Sequence, residues 1–217
     1  MAKGILIIGT GAQAKYALEI FNLNNMAVCG LVALPEEPTP ESLDNADVLG
    51  SIQRFESIYQ KYKQPSLLLC CSRNEGKEEL NNSLLKYDPE YTNAIHPKAV
   101  IARTAVLGQG IIVNACTVIQ PYARIGNHVM IHAGVIIEHD CIIHDFVNLA
   151  PKVTLAGHVK IGKGTTVYTG AVISPTVKTG DYCTVGAGSV VLRSVEDGKK
   201  VAGVPASEIK SEKDTIK

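Results

Sequence analysis

The chain has 217 residues, is 46% hydrophobic and 19% charged, and carries a formal net charge of zero. Such a composition excludes a disordered chain, and the length allows one large domain or two modest ones. Neutrality gives no basic stripe for a phosphate backbone, so no nucleic-acid partner is expected. No apolar run approaches the roughly 18 residues that span a bilayer, so no membrane insertion is expected either.

Gly4-Ile5-Leu6-Ile7-Ile8 is a continuous apolar run, as in a parallel strand buried on both faces. Gly9-Thr10-Gly11-Ala12-Gln13-Ala14 follows, then a helical pattern through Tyr16, Leu18, Ile20 and Phe21. Strand, glycine turn and helix make a G-x-G-x-x-A variant of the dinucleotide fingerprint, with a helix N-terminus suited to a diphosphate. The same glycines are also consistent with nothing more than a tight turn and close helix packing. A second strand is expected at about Ala27 to Leu34 and a third at Leu67 to Cys71, with helices over Ile52 to Tyr62 and Glu75 to Lys86. The alternation predicts a small α/β domain of βαβαβ type. A full NAD site wants an acid at the end of the second strand. Ala33, Leu34 and Pro35 stand there, and Glu36 and Glu37 come late, so a half-site for one nucleotide diphosphate is the better reading. Pro35 to Asn45 reads as an exposed loop. Cys71-Ser72-Arg73-Asn74 lies past the third strand, where open α/β sheets gather ligands, although Arg73 is equally consistent with a solvated surface charge.

From Ile95 to Val191 an aliphatic residue recurs every six positions, and only Thr179 breaks the column. A fixed hexapeptide period is the signature of a β-helix. A smaller residue recurs four places later, as at Ala105, Ala123, Cys141 and Val159. Gly108, Gly126, Gly162, Gly180 and Gly186 directly follow the aliphatic, where a corner is expected to need a free backbone. None of the cysteines pairs as C-x-x-C and no leader is read at the start, so all are expected to be reduced cytosolic thiols. Cys141 and Cys183 fall in the small column and are expected to face inward. Five of the six histidines, His96, His128, His132, His144 and His158, are expected to be ordinary surface residues. Their phases in the hexad differ, and no metal site is expected.

The strict hexad resembles the left-handed parallel β-helix of hexapeptide acyltransferases, in which three hexads make one triangular coil of eighteen residues. The match runs from Asn93 to Ala206. On that count Gly157 lies directly above His139, one strand spacing away. A base beneath a bare backbone N–H suits acyl transfer: one takes the nucleophile's proton, the other faces the thioester oxygen. Asp140 is placed to orient the imidazole. His139 is also consistent with an ordinary corner histidine.

Glu138-His139-Asp140-Cys141-Ile142-Ile143 and Ala156-Gly157-His158-Val159-Lys160-Ile161-Gly162 resemble the active-site stretch of bacterial nucleotide-sugar N-acetyltransferases. Within that group the stretches resemble the UDP-4-amino-sugar acetyltransferases of bacillosamine and related glycan pathways. The resemblance implies a Rossmann-like nucleotide-sugar-binding domain over residues 1–92, a left-handed β-helix over 93–206 and a tail over 207–217. It implies a cytoplasmic bacterial homotrimer with active sites between subunits, acetyl-CoA as co-substrate and no metal. The acceptor it implies is the amine of a nucleotide sugar such as a UDP-4-amino-4,6-dideoxy-N-acetylhexosamine. His139 is implied as general base, Asp140 as its support, and the Gly157 amide as donor to the acetyl oxygen. Gly157, Thr169, Ala187, Gly188, Val204 and Pro205 are implied on acetyl-CoA. Gly9, Thr10, Gly11, Arg73, Asn74 and Asn148 are implied on the sugar nucleotide. Two departures stand out: Asn148 replaces a frequent family histidine, and Ala12 and Gln13 replace a Gly-His pair in the glycine turn. Two alternatives stay open. One is O-acetylation with the same prism and base; the other is a non-catalytic β-helix binding module.

Overall fold

The computed structural model describes residues 4–35 and 37–209. Glu36 and the charged tail beyond Ile209, expected to fray, lie outside the described residues. The chain divides into two compact units: Met1–Pro97 with Gln109–Ile112, and Lys98–Gly108 with Val113–Lys217.

The first unit is built on a five-stranded sheet. Its elements are β1 Ile5–Ile8, α1 Ala12–Leu23, β2 Val28–Ala33, β3 Ser42–Leu43, β4 Ala46–Ser51, α2 Phe55–Lys61, β5 Ser66–Leu69 and α3 Asn74–Leu84. The strand order is β3-β4-β2-β1-β5. β1 is parallel to both neighbours, with Ile8 opposite Val32 on one side and Leu69 on the other. All four residues of β1 are buried, which is why the run is apolar without alternation. Leu6, Ile8, Val32, Leu67 and Leu69 pack with Phe55, Ile58, Tyr59 and Leu84 in one core cluster. Gly9 holds φ at +127°, and a Cβ there would lie 2.7 Å from the Cys70 carbonyl oxygen, so the turn after β1 requires glycine.

Two expectations fail in this unit. Pro35 to Asn45 is not all loop: β3 lies within it and pairs antiparallel with β4, which itself extends the sheet parallel to β2. β4 is only half-buried and its register with β2 is irregular, so it carries neither an apolar run nor a clean alternation. The third strand ends at Leu69, leaving Cys70 and Cys71 to the connection beyond.

In the second unit each aliphatic of the hexad closes a strand of two residues, and strands eighteen residues apart pair in parallel: Val118 with Ile136, Ile142 with Lys160, Thr166 with Thr184. Stacked parallel strands on three faces, with this repeat, fit a left-handed β-helix. One face runs through Val100, Val118, Ile136, Thr154, Val172 and Val190, and a second through Val106, Arg124, Ile142, Lys160 and Lys178. The third passes through Met130, Asn148, Thr166 and Thr184 to strands Lys200–Gly203 and Ala206–Glu208. Thr179 sits inward and buried, and its hydroxyl accepts the Gly162 N–H at 3.3 Å, so the broken beat is satisfied without a ligand.

The glycines of the repeat do a different job from the one expected. Left-handed φ falls not on Gly108 or Gly126 but three places after each aliphatic, at Tyr122, His128, Asp140, Phe146, His158 and Tyr182 among others. Gly108 and Gly126 are required by closeness: a Cβ would lie 2.8 Å from the Gly126 carbonyl oxygen in one case and 2.7 Å from the Asp145 nitrogen in the other. The next coil's backbone occupies that space. A second correction concerns the tail, because Ala206–Glu208 forms an antiparallel hairpin with Lys200–Gly203.

Candidate active site

His139 and Asp140 occupy the corner that follows the strand Ile136–Ile137, between the first and second faces. Asp140 adopts left-handed φ of 59°, which short polar side chains tolerate and which turns its carboxylate back toward its neighbour. His139 Nδ1 lies 2.8 Å from Asp140 Oδ2. That contact makes Nδ1 the protonated nitrogen and leaves the lone pair on Nε2. Both side chains are about half exposed, 51% and 42%, so the imidazole is reachable from solvent.

One coil further on stands Gly157. A Cβ built on it would fall 2.7 Å from His139 Nε2, so any other residue would displace the ring. The Gly157 carbonyl is taken by the Thr176 N–H, whereas its own N–H has no hydrogen-bond partner among the described residues. A nitrogen lone pair and a backbone donor with no partner among the described residues therefore belong to one corner, on adjacent coils, an arrangement that can accept a proton and stabilise an oxyanion. Cys141, next to Asp140, turns inward: it is buried, donates to the Ala156 carbonyl at 3.2 Å, and burial pushes its thiol up to about 11. It is not a nucleophile at neutral pH.

The histidines depart from expectation in two ways. His158 was expected to point elsewhere, but its ring meets His139 edge to face with centroids 5.1 Å apart, and its Nε2 is 3.9 Å from Asp140 Oδ2. The signal was available, because eighteen residues separate Asp140 from His158 just as they separate His139 from Gly157. His128, expected at the surface, is buried and stacked on Phe146 at 5.2 Å.

Other residues assigned from the sequence lie elsewhere in this unit. Thr169, Ala187 and Gly188 are exposed and occupy a different corner, between the third face and the first. Val204 and Pro205 form the turn of the closing hairpin, with Val204 exposed. Asn148 is on the third face, and its Oδ1 is buried without a hydrogen-bond partner among the described residues.

In the first unit the cluster at the glycine turn is rearranged. Thr10 is buried; its N–H donates to Glu37 Oε2 at 2.7 Å, and its hydroxyl donates to the Pro38 carbonyl at 2.6 Å and lies 3.4 Å from the same Glu37 oxygen. Glu37 Oε1 would lie 2.9 Å from a Cβ on Gly11. The late acid thus folds back over the N-terminus of α1, where a carboxylate is favoured by the unpaired amides. Beside it, past the ends of β2 and β5, a cavity of about 550 Å³ is lined by Leu34, Glu37, Ile52, Cys71, Ser72 and Arg73 among others. Arg73 lines this cavity; Asn74 is buried at the start of α3, and Gly9, Thr10 and Gly11 do not line it. Lys77, on the first turns of α3, is buried, and burial drives its ammonium down to about 8.

The bacterial transferase hexapeptide model (six repeats) matches residues 122–157, the stretch that carries His139, Asp140 and Gly157. Over those residues the chain carries hexapeptide repeats of the kind that model describes. No curated protein matches the chain in sequence. Solved structures do. A mutant of perosamine N-acetyltransferase from Caulobacter crescentus, in complex with CoA and GDP-perosamine, is 29% identical with a TM-score of 0.90, over 96% of this chain and 97% of that one. The acetyltransferase domain of PglB from Neisseria gonorrhoeae, in complex with acetyl coenzyme A, is 25% identical with a TM-score of 0.87, over 96% and 100%. WeeI from Acinetobacter baumannii, at 19% identity and a TM-score of 0.71 over 95% and 99%, shares the fold.

Proposed function

We propose that this chain is an acetyl-CoA-dependent N-acetyltransferase that acetylates the amine of a nucleotide-linked amino sugar. The observation that carries the reading is the His139 lone pair one coil from a Gly157 N–H that has no partner among the described residues, with Asp140 fixing the tautomer. The likeness to a perosamine N-acetyltransferase with CoA bound and to an acetyltransferase domain with acetyl coenzyme A bound, along nearly the whole chain, supports it.

In this reading the sugar amine attacks the thioester carbonyl while His139 Nε2 accepts its proton. The Gly157 N–H donates to the oxyanion that forms. The C–S bond then breaks, the thiolate takes a proton, and an N-acetyl sugar and CoA remain. No bond to the protein forms.

The first unit holds the nucleotide, and the cavity past the ends of β2 and β5 is the place for it, since open α/β sheets bind ligands there. Arg73 is its cationic wall. Glu37 leaves no free Thr10 amide for a diphosphate at the glycine turn unless it moves. The assembly is a homotrimer. The first face of the prism exposes Val100, Ile136 and Val172, an apolar stripe of the kind that marks an interface. It is bounded on one side by the His139 corner and on the other by the corner of Thr169, Ala187 and Gly188. Packing of such faces around a threefold axis brings the base of one subunit to the acetyl-CoA residues of the next. The reaction belongs to the bacterial cytoplasm, where both substrates are made.

Acetyl-CoA consumption with UDP- and GDP-linked 4-amino sugars, and with the matching 4-hydroxy sugars, tests the proposal. N-acetylated product from an amino sugar is expected. Turnover of hydroxy sugars alone, or of none, overturns it.

A further inference from the structure

We infer that His139, Asp140 and His158 form a capture site for a borderline divalent cation such as Zn²⁺, and that an ion bound there switches the corner off. Two imidazoles and a carboxylate come together from adjacent coils. One donor atom from each lies within 4.8 Å of the others. His139 Nδ1 is 2.8 Å and His158 Nε2 is 3.9 Å from the same oxygen, Asp140 Oδ2. Tetrahedral zinc with bonds of about 2.0–2.1 Å wants its ligands about 3.3 Å apart, so small rotations of exposed side chains bring these three onto one ion. The donor set, nitrogen with one carboxylate oxygen, is that of zinc rather than of calcium or magnesium. A fourth position stays open to solvent, because the side chains of all three are 42–59% exposed.

The consequence for chemistry follows from the tautomer. Coordination through His139 Nδ1 displaces the proton now shared with Asp140 and leaves it on Nε2. Nε2 then has no lone pair for an incoming amine. Coordination through Nε2 blocks it directly. The inhibitory half of this inference rests on the acetyl-transfer reading; the binding half does not.

Equilibrium dialysis of the full chain against Zn²⁺ reads the site without any turnover. One ion per chain is expected. His158→Asn and Asp140→Asn should each weaken binding at least about tenfold, the scale seen when metal-site partners are lost. Asparagine is chosen because the two positions hold φ of 62° and 59°, which it accepts, so the corner keeps its shape. Cobalt substitution should give a spectrum without a thiolate charge-transfer band. Unchanged binding in both variants, or a thiolate band, places the ion on cysteines or elsewhere and overturns the site. In the acetyl-transfer assay Zn²⁺ should slow the wild type, a chelator should restore it, and the ratio of rates with and without zinc should approach unity in His158→Asn. Zinc bound at this corner with no effect on a measurable rate overturns the switch while leaving the site. Zinc bound there with no acetyl transfer under any condition sinks the functional reading alone.

Discussion

The two units reach the same end, a buried aliphatic interior, by opposite routes. In the first, one apolar strand, β1, is flanked by β2 and β5, strands far from it and from each other in sequence, and the register with β2 slips. In the second, the strands of the repeat are two residues long and find their partners eighteen residues away, coil after coil, until the closing hairpin. The difference decides where chemistry can be read. A strict period stacks residue on residue, so a site built at one corner is written in the numbering. An irregular sheet leaves its cavity to connections whose meeting no spacing foretells. Glu37 closing over Thr10, and Lys77 buried at the head of α3, both belong to the second case.

That contrast can be broken most strongly at the corner. His139→Ala should lower kcat by about 10²–10⁴-fold, the usual weight of a general base; near-normal turnover would remove the imidazole from the chemistry. Core truncation comes next. Ile131→Ala in the prism and Ile7→Ala in β1 remove fully buried side chains, and each should cost about 2–5 kcal/mol. Hydrogen exchange separates them: coils of a solenoid touch only their neighbours, so the damage of Ile131→Ala should stay within adjacent coils, whereas Ile7→Ala should loosen the whole first unit.

Lys77 gives a pH test that the two units answer differently. Its ammonium sits near 8 in the fold against 10.5 in the unfolded chain. Between those values the unfolded chain binds more protons, so stability rises with pH. Cys70 opposes this from its ordinary 9 up to about 12, because its folded thiol holds the proton longer. The rise should therefore stand alone between pH 8 and 9 in urea unfolding of the first unit. Lys77→Met should flatten it and add about 3 kcal/mol at pH 7. In the prism Cys141, raised to about 11, should only lose stability from pH 9 upward. The smallest effect belongs to Gly157→Ala: a Cβ 2.7 Å from His139 Nε2 should push the ring aside and slow turnover about tenfold while leaving stability within about 1 kcal/mol. Unchanged kcat would show that the ring has room to spare.

The hexad by itself determined a β-helix, because a repeat that buries one face per strand resists slippage; the resemblance to hexapeptide acyltransferases supplied the eighteen-residue coil that stacks Gly157 over His139. It also held His158 over Asp140, a pairing that counting makes plain. Other features were legible only in three dimensions. Which repeat positions turn left-handed depends on how the corners close, and the glycines of the repeat answer to the neighbouring coil's backbone. β4 joined the sheet without an apolar run because, with only the two-residue β3 beyond it, the strand is no more than half-buried. Glu37 crossed twenty-seven residues to cap Thr10 because unpaired amides at the head of α1 attract a carboxylate wherever the chain can bring one. Local pattern fixes what a segment must bury; which polar groups then meet is settled by the fold, since each buried donor takes whichever acceptor the packed chain delivers to it.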